Sequence, residues 1–79
     1  MIMSNKEKVL NLIAECLEVP ASELSYDTNM DDVENWVSMR NVMILSILED
    51  EFDILIPEDD IFDLTTIGSF VDEVDKLLN

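Results

Sequence analysis

One serine stands out among the residues of this sequence that could do chemistry. Ser38 directly precedes a long apolar run that ends in acids at Glu49 to Glu51. A serine in that position either caps a helix or leaves its hydroxyl free as an attachment point. The chain has no histidine, which excludes a histidine-based triad and the commonest metal ligand. Its single cysteine, Cys16, excludes a thiolate zinc site and an internal disulfide.

The acidic residues offer a second kind of chemistry, the binding of cations. Asp27, Asn29 and Asp31 are spaced like the first oxygen ligands of an EF-hand loop. However, the position that requires glycine is Asp32, and the position that requires the closing glutamate is Ser38. Loose cation binding by the acidic stretch therefore stays as an alternative to an EF-hand. No acid has a pocket or partner visible in the sequence, so we predict that the chain is not an enzyme.

Length and composition point to one small helical domain. The 79 residues, 48% of them apolar, suffice for one core, and we predict a single domain over 1–79. One glycine and two prolines favour helices over a many-turned β fold. The Met1 to Ser4 start does not resemble a signal peptide, and no apolar run is long enough to span a membrane. We expect a cytoplasmic monomer.

Charge is the strongest compositional signal. Nineteen acidic and four basic residues give a formal net charge of −15. Such a surface repels phosphate backbones and anionic membranes, so we expect neither a nucleic acid nor a membrane as a partner. It suits partners with basic surfaces, although a solvated acidic face explains the charge equally well.

The first predicted helix begins with a capping box. Ser4 is its N-cap, Glu7 stands three residues on, and Pro20 limits its far end. A polar connection over 21–35 follows, which is long for a structureless loop in so small a domain, and such loops are often functional. The predicted buried stripe of the helix consists of Val9, Leu10, Ile13, Cys16 and Leu17.

Three further helices complete the prediction. The second spans 38–51, and after an extended connection Pro57 followed by acids favours a short third helix to about Leu64. Thr65 or Thr66 caps the last helix. The sequence thus predicts an all-α, small four-helix bundle with three longer helices, one short third helix and a long first loop. The second helix should pack on more than one side through Val42, Ile44, Leu45, Ile47, Leu48 and Phe52. The last helix should bury Ile67, Phe70, Val71, Val74, Leu77 and Leu78.

From Trp36 onward, the chain resembles an acyl carrier protein. The most specific features are Ser38 before an apolar helix with an acidic end, the Ile-Pro pair at 56–57 with acids directly after it, and Thr-Thr-Ile-Gly over 65–68. The resemblance extends over nearly the whole chain. It implies that Ser38 carries a 4′-phosphopantetheine arm through a phosphodiester, and that the arm's thiol holds an acyl or aminoacyl group as a thioester. It also implies a phosphopantetheinyl transferase and acyl-loading and acyl-transferring enzymes as partners.

The chain departs from the family pattern around Ser38. The family has aspartate where this chain has Val37, and it commonly has acids at the positions of Arg40 and Met43. Loss of the aspartate predicts inefficient modification, because that acid helps recognition and lies at the positive end of the helix. We predict a specialised carrier whose partners meet this end with an apolar or acidic surface and place basic residues farther along. The predicted contacts are Val37, Met39, Arg40, Met43, Glu49 and Glu51.

Several alternatives remain open. The chain could be an acyl carrier fold that stays unmodified and acts through its acidic surface, for which Val37 is the best support. It could also be an acidic protein that binds cations. Arg40 could simply pair with an acid such as Glu34 or Asp32. A cleft for the acyl chain could be lined by Val42, Leu45, Ile47, Ile56, Ile61, Ile67 and Val71, all of which core packing explains equally well.

Overall fold

The computed structural model describes residues 4–79, so the prediction about a signal peptide at the first three residues lies outside the described part. It contains four α-helices: α1 (Asn5–Leu17), α2 (Ser38–Phe52), α3 (Glu58–Ile61) and α4 (Ile67–Leu78). No β-strand occurs between residues 4 and 79. The prediction of an all-α fold with four helices, the third of them short, is confirmed. None of the helices in this part of the chain is both long and apolar enough to cross a bilayer.

Helix α1 begins and ends as local chemistry dictates. The Ser4 hydroxyl accepts a hydrogen bond from the N–H of Glu7 at 3.2 Å, as an N-cap does. The helix ends at Glu18, which adopts the left-handed conformation with φ 58° and donates its N–H to the carbonyls of Ala14 and Glu15. This leaves the carbonyls of the last two helical residues without partners inside the helix.

The first loop, residues 18–37, is more ordered than its sequence predicts. It contains two 3₁₀ turns, Ala21–Glu23 and Met30–Asp32. A single antiparallel bridge joins Asn29 to Thr66, and the Met30 N–H donates to the Thr65 carbonyl at 2.8 Å. These bonds tie the loop to the start of α4.

A tyrosine also fastens the first loop to α4. The Tyr26 ring lies against Gly68 so closely that a Cβ at that position would come within 2.5 Å of the ring. The Tyr26 hydroxyl donates to the Asp72 carboxylate at 2.7 Å, and Lys6 lies 5.4 Å from the ring centroid. A larger residue at this position would therefore displace the Tyr26 ring.

Helix α4 has the cap expected from its sequence, whereas α3 is shorter than predicted. The Thr66 N–H donates a hydrogen bond to the Ser69 hydroxyl, and the Ser69 N–H donates one to the Thr66 hydroxyl, both at 3.0 Å. After α3, the N–H groups of Asp63 and Leu64 bond three residues back, which closes tight turns instead of extending the helix to Leu64. Leu78 is half exposed at the end of α4, so its predicted place in the buried stripe is wrong.

Helix α2 has one buried stripe, which corrects the prediction that it packs on more than one side. Ile44 and Leu48 are buried against the core, whereas Val42 is 63% exposed. Leu45, Ile47 and Phe52 are only partly buried at the edges of that stripe. The core lies between α1, α2 and α4, and its largest fully buried side chains are Phe70, Ile13, Leu17, Ile44, Leu48, Ile67, Val9 and Val74.

One charged side chain is buried between α3 and α4. Only 8% of the Glu73 side chain is exposed, and Lys76 Nζ lies 3.7 Å from its Oε1. Lys76 also forms a 3.0 Å ion pair with Asp60 of α3. Glu73 Oε2 has no hydrogen-bond partner within the described residues, so a carboxylate there is incompletely compensated.

Candidate attachment site at Ser38

Ser38 is the first residue of α2, and its side chain is exposed. The N-cap is Val37, which has an extended backbone and makes no side-chain capping bond. The Ser38 hydroxyl therefore does not cap the helix, and it forms no hydrogen bond with residues 4–79. Of the two roles that the sequence left open, the geometry favours a free hydroxyl.

The start of α2 is suited to a negatively charged group. The first hydrogen bond of the helix runs from the Asn41 N–H to the Val37 carbonyl at 2.9 Å, so the N–H groups of residues 38–40 have no partner inside the helix. The first turn contains no acidic residue to balance the positive end of the helix dipole. A phosphodiester on Ser38 would supply that charge, so the residues present fit a phosphopantetheine arm.

Trp36 anchors the segment that leads into Ser38. Its side chain is 4% exposed, and its ring centroid lies 5.9 Å from that of Phe70 in α4. Its Nε1 donates to Asn41 Oδ1 at 3.0 Å, which links the two sides of Ser38. The sequence identified Trp36 as part of the attachment stretch but did not identify Asn41 as its partner. A tryptophan among polar residues beside a candidate site was the available signal.

Arg40 is directed toward α1. Its guanidinium donates to the Cys16 carbonyl and lies 3.4 Å from Glu18. The sequence correctly allowed for an acidic partner, but its examples of that partner, Glu34 and Asp32, were wrong. Asp32 and Glu34 lie eight and six residues before Arg40 in the sequence, whereas Glu18 comes close to Arg40 only when α1 and α2 pack together.

An exposed apolar surface surrounds Ser38. Met39 is 76% exposed, Val37 54% and Met43 46%, and Val42 joins them on the outer side of α2. We call Val37, Met39, Val42 and Met43 the apolar face. Because Val42 belongs to this face, its predicted role in lining an interior cleft is wrong.

The other residues predicted to line an acyl cleft lie in the hydrophobic core or pack against it. Ile56, Ile67 and Val71 are buried in the core, whereas Leu45 and Ile61 are only partly buried. Ile47 lines a shallow groove between α1 and α2, together with Cys16, Arg40 and Met43. Core packing, the alternative that the sequence left open, therefore accounts for all six of these residues.

The acidic end of α2 is negatively charged and also forms a hydrogen bond that holds the following connection. The Glu49 carboxylate accepts a hydrogen bond from the Ile56 N–H at 2.8 Å and so holds the connection to α3. Glu51 and Asp50 are exposed. Neither of these two acids forms an ion pair within residues 4–79.

Two of the residues predicted to bind a cation, Asn29 and Asp32, use their side chains to cap a turn. Asn29 Oδ1 accepts from the Asp31 N–H at 2.9 Å, and Asp32 accepts from the Asn29 N–H at 3.4 Å, which caps the second 3₁₀ turn. Between residues 4 and 79, no group of three or more Cys, Asp or Glu side chains is placed to hold a metal ion. The structure adds no support to the cation-binding alternative.

Comparison with known proteins agrees with this geometry. The family model described as a phosphopantetheine attachment site matches residues 7–74. Acyl carrier proteins from two strains of Porphyromonas gingivalis are each 29% identical over 73 residues, which cover 92% of this chain and 94% of each relative.

The fold matches a solved structure as well. The solution NMR structure of the holo acyl carrier protein from Geobacter metallireducens superposes with a TM-score of 0.84. The match covers 96% of this chain and 87% of the other, at 21% sequence identity. At that identity the likeness shows the fold alone.

Proposed function

This chain is a member of the acyl carrier protein family, whose members bear a phosphopantetheine attachment site, and from that premise we propose that Ser38 is the attachment residue. The observation that carries the proposal is the free hydroxyl of Ser38 at the open, positive end of α2. When bound, the arm supplies a terminal thiol that holds an acyl or aminoacyl group as a thioester.

The Ser38 hydroxyl needs help from another protein to react. No base among the described residues is hydrogen-bonded to it, and the chain contains no histidine. Loading joins the Ser38 oxygen to a phosphorus of coenzyme A, releases the nucleotide part, and passes the hydroxyl proton to a base. We assign that base to a phosphopantetheinyl transferase. The chain itself is then a carrier and not an enzyme.

The first prediction concerns loading of Ser38. Incubation with a broad-range transferase and coenzyme A is expected to add one arm to the parent protein slowly, and none to Ser38→Ala. Val37→Asp is expected to load at least about tenfold faster, because a carboxylate there restores a charged contact of about 1.5 kcal/mol or more. Intact mass spectrometry over time measures both results.

A second serine provides the matched control. Ser46 is also exposed on α2, and Ser46→Ala should load at the parent rate. Loading of Ser38→Ala, or no gain in Val37→Asp, would contradict the assignment. Parent protein that never gains an arm would favour an unmodified interaction module.

We also propose a specialised carrier with a dedicated set of partners. Support comes from the apolar face, because two of its four exposed members, Val37 and Met43, stand near the start of α2 where the family has acids. Asp50 and Glu51 lie seven and eight residues beyond Met43, or about 10–12 Å along the helix axis. Acyl-loading and acyl-transferring enzymes should therefore contact Val37, Met39 and Met43 with an apolar surface. Their basic residues should lie opposite the acidic end, where Asp50 and Glu51 are exposed and the Glu49 carboxylate is bonded to the Ile56 N–H.

The second prediction tests this partner choice. Met43→Glu is expected to weaken use by the chain's own acyl-loading enzyme about tenfold, since a charge would then lie in an apolar contact. Use by a general fatty-acid synthesis enzyme with a basic docking surface should improve. Steady-state KM values for the carrier measure both effects.

The charge-matched control is Ser22→Glu, an exposed position outside α2. It adds the same charge but should leave both KM values near those of the parent. Equal effects of Met43→Glu on the two enzymes would remove the case for a dedicated partner set. Arg40 is less informative in this test, because its substitution also removes the bond to α1.

We place the protein in the cytoplasm as a monomer. Cys16 is the only cysteine in the sequence and is buried at the end of α1, which suits a reducing compartment. Size-exclusion chromatography with light scattering tests the monomeric state.

A further inference from the structure

The C-terminal end of α1 and the segment around Ser38 are joined by hydrogen bonds. The carbonyls of Cys16 and Leu17 are among those that a helix end leaves without internal partners. The Leu17 carbonyl accepts from Asn35 Nδ2 at 3.1 Å, and the Cys16 carbonyl accepts from the Arg40 guanidinium. Asn35 precedes Ser38 by three residues, and Arg40 follows it by two.

Hydrogen bonds within the segment around Ser38 also close it into a compact turn. The bond from Trp36 Nε1 to Asn41 Oδ1 connects residues on opposite sides of Ser38. Asn41 in turn donates its N–H to Val37 in the first hydrogen bond of α2. We call the bonds from Asn35 and Arg40 to α1 the two tethers. Together with the packing of Trp36 on Phe70, the tethers fix where this closed segment lies relative to the rest of the bundle.

We propose that Asn35 and Arg40 are positioning residues that hold Ser38 in the geometry a phosphopantetheinyl transferase binds. The inference rests on the proposed attachment at Ser38. Neither side chain needs to touch the transferase, because each acts through the backbone on its own side of the serine. Arg40 then serves loading through its bond to α1, and its pairing with the exposed Glu18 carboxylate is secondary.

The physical reason is preorganisation. A segment that samples several conformations binds its partner with an affinity reduced by the fraction of time spent in the competent one. The tethers keep that fraction high in the free protein. Once the transferase has bound the segment, the geometry of Ser38 is the same with or without them. Loss of the tethers should therefore raise KM and leave kcat unchanged.

The test compares Asn35→Ala, Arg40→Ala and the double variant with the parent. With a broad-range transferase and coenzyme A, the double variant is expected to show a KM for the carrier about tenfold higher, with kcat within about twofold, as two lost hydrogen bonds imply. Arg40→Lys keeps the charge and a donor and should recover part of the loss. Amide hydrogen exchange at Asn41, followed by NMR, should speed up in the double variant by a similar factor.

A matched control separates positioning from general stability. Tyr26→Phe removes the hydrogen bond to Asp72, which fastens the first loop to α4 instead of α1. It should leave KM and the exchange of Asn41 near the parent values, with all proteins assayed below their melting temperatures. A KM increase in Tyr26→Phe equal to that in the double variant would overturn the proposal. So would unchanged exchange at Asn41 in the double variant, a result that does not depend on whether Ser38 is loaded.

Discussion

Trp36→Ala is expected to lower the free energy of unfolding by about 3–5 kcal/mol, the usual loss for a buried aromatic residue. The Trp36 side chain is 4% exposed and packs at a tilt against Phe70, the largest of the fully buried side chains. A domain of this size has a total stability of about 4–12 kcal/mol, so the loss is a large share of it. Urea denaturation followed by far-ultraviolet circular dichroism measures the change, because the variant has no tryptophan fluorescence.

Two further variants divide this effect into its parts. Trp36→Phe keeps an aromatic ring beside Phe70 but loses the bond to Asn41, so about 1 kcal/mol of the loss should come from the hydrogen bond. Val42→Ala removes an exposed apolar side chain of the same region and should change stability by less than about 0.5 kcal/mol. Equal destabilisation by Trp36→Ala and Val42→Ala would contradict the anchoring role.

Helix positions were predictable because their signals are local. The caps at Ser4 and Thr66 and the start of α2 at Ser38 agree with the structure. A cap depends on residues within one turn, and a sequence displays such residues directly. The lengths of the shortest elements were less predictable, as the early end of α3 shows.

The buried side of α2 could not be read from its sequence. Apolar residues occupy nearly every side of that helix, so the pattern does not separate Ile44, which is buried, from Val42, which is exposed. The packing of α1 and α4 makes that choice. The prediction that Val42 lies in the interior is wrong because the apolar pattern alone does not show which side of α2 faces α1 and α4.

The candidate site also has some features that the sequence predicted and others that it could not predict. The exposure of Ser38 agrees with one of the two roles that the sequence left open, and its modification remains a prediction. The bonds from Asn35 and Arg40 to α1 join residues separated by 18 and 24 positions. No local pattern contains such contacts, because they exist only after the end of α1 meets the start of α2.

Glu73→Gln is expected to raise the free energy of unfolding at pH 7 by about 1 kcal/mol, the scale of an incompletely satisfied buried polar group. Burial raises the pKa of Glu73, and Asp60 raises it further through hydrogen bonding and its negative charge, while Lys76 opposes the rise. Hydrogen bonding to Glu73 and then to Lys76 lowers the pKa of Asp60. As the pH falls, Glu73 therefore takes up a proton before Asp60 does. A glutamine side chain offers a similar donor without the charge.

The pH dependence follows from the direction of these changes. The raised pKa of Glu73 means that its favourable contribution is complete below the ordinary value of 4.5 and is lost as the pH rises through the folded-state pKa. The advantage of Glu73→Gln should therefore be largest at pH 7 and shrink as the pH falls toward 4.5. Asp60 behaves oppositely, since its lowered pKa makes its contribution disappear only as the pH falls below its ordinary value of 3.8.

A neighbouring acid controls for the change in net charge. Asp59→Asn, on the exposed side of α3, also removes one of the negative charges that give the chain a net charge of −15. It relieves general repulsion but leaves the buried carboxylate in place. Subtracting its effect from that of Glu73→Gln, in urea denaturation curves between pH 4.5 and pH 7, isolates the contribution of burial. If the difference stays constant across that range, Glu73 does not change protonation there and the buried carboxylate imposes no pH-dependent cost on the fold.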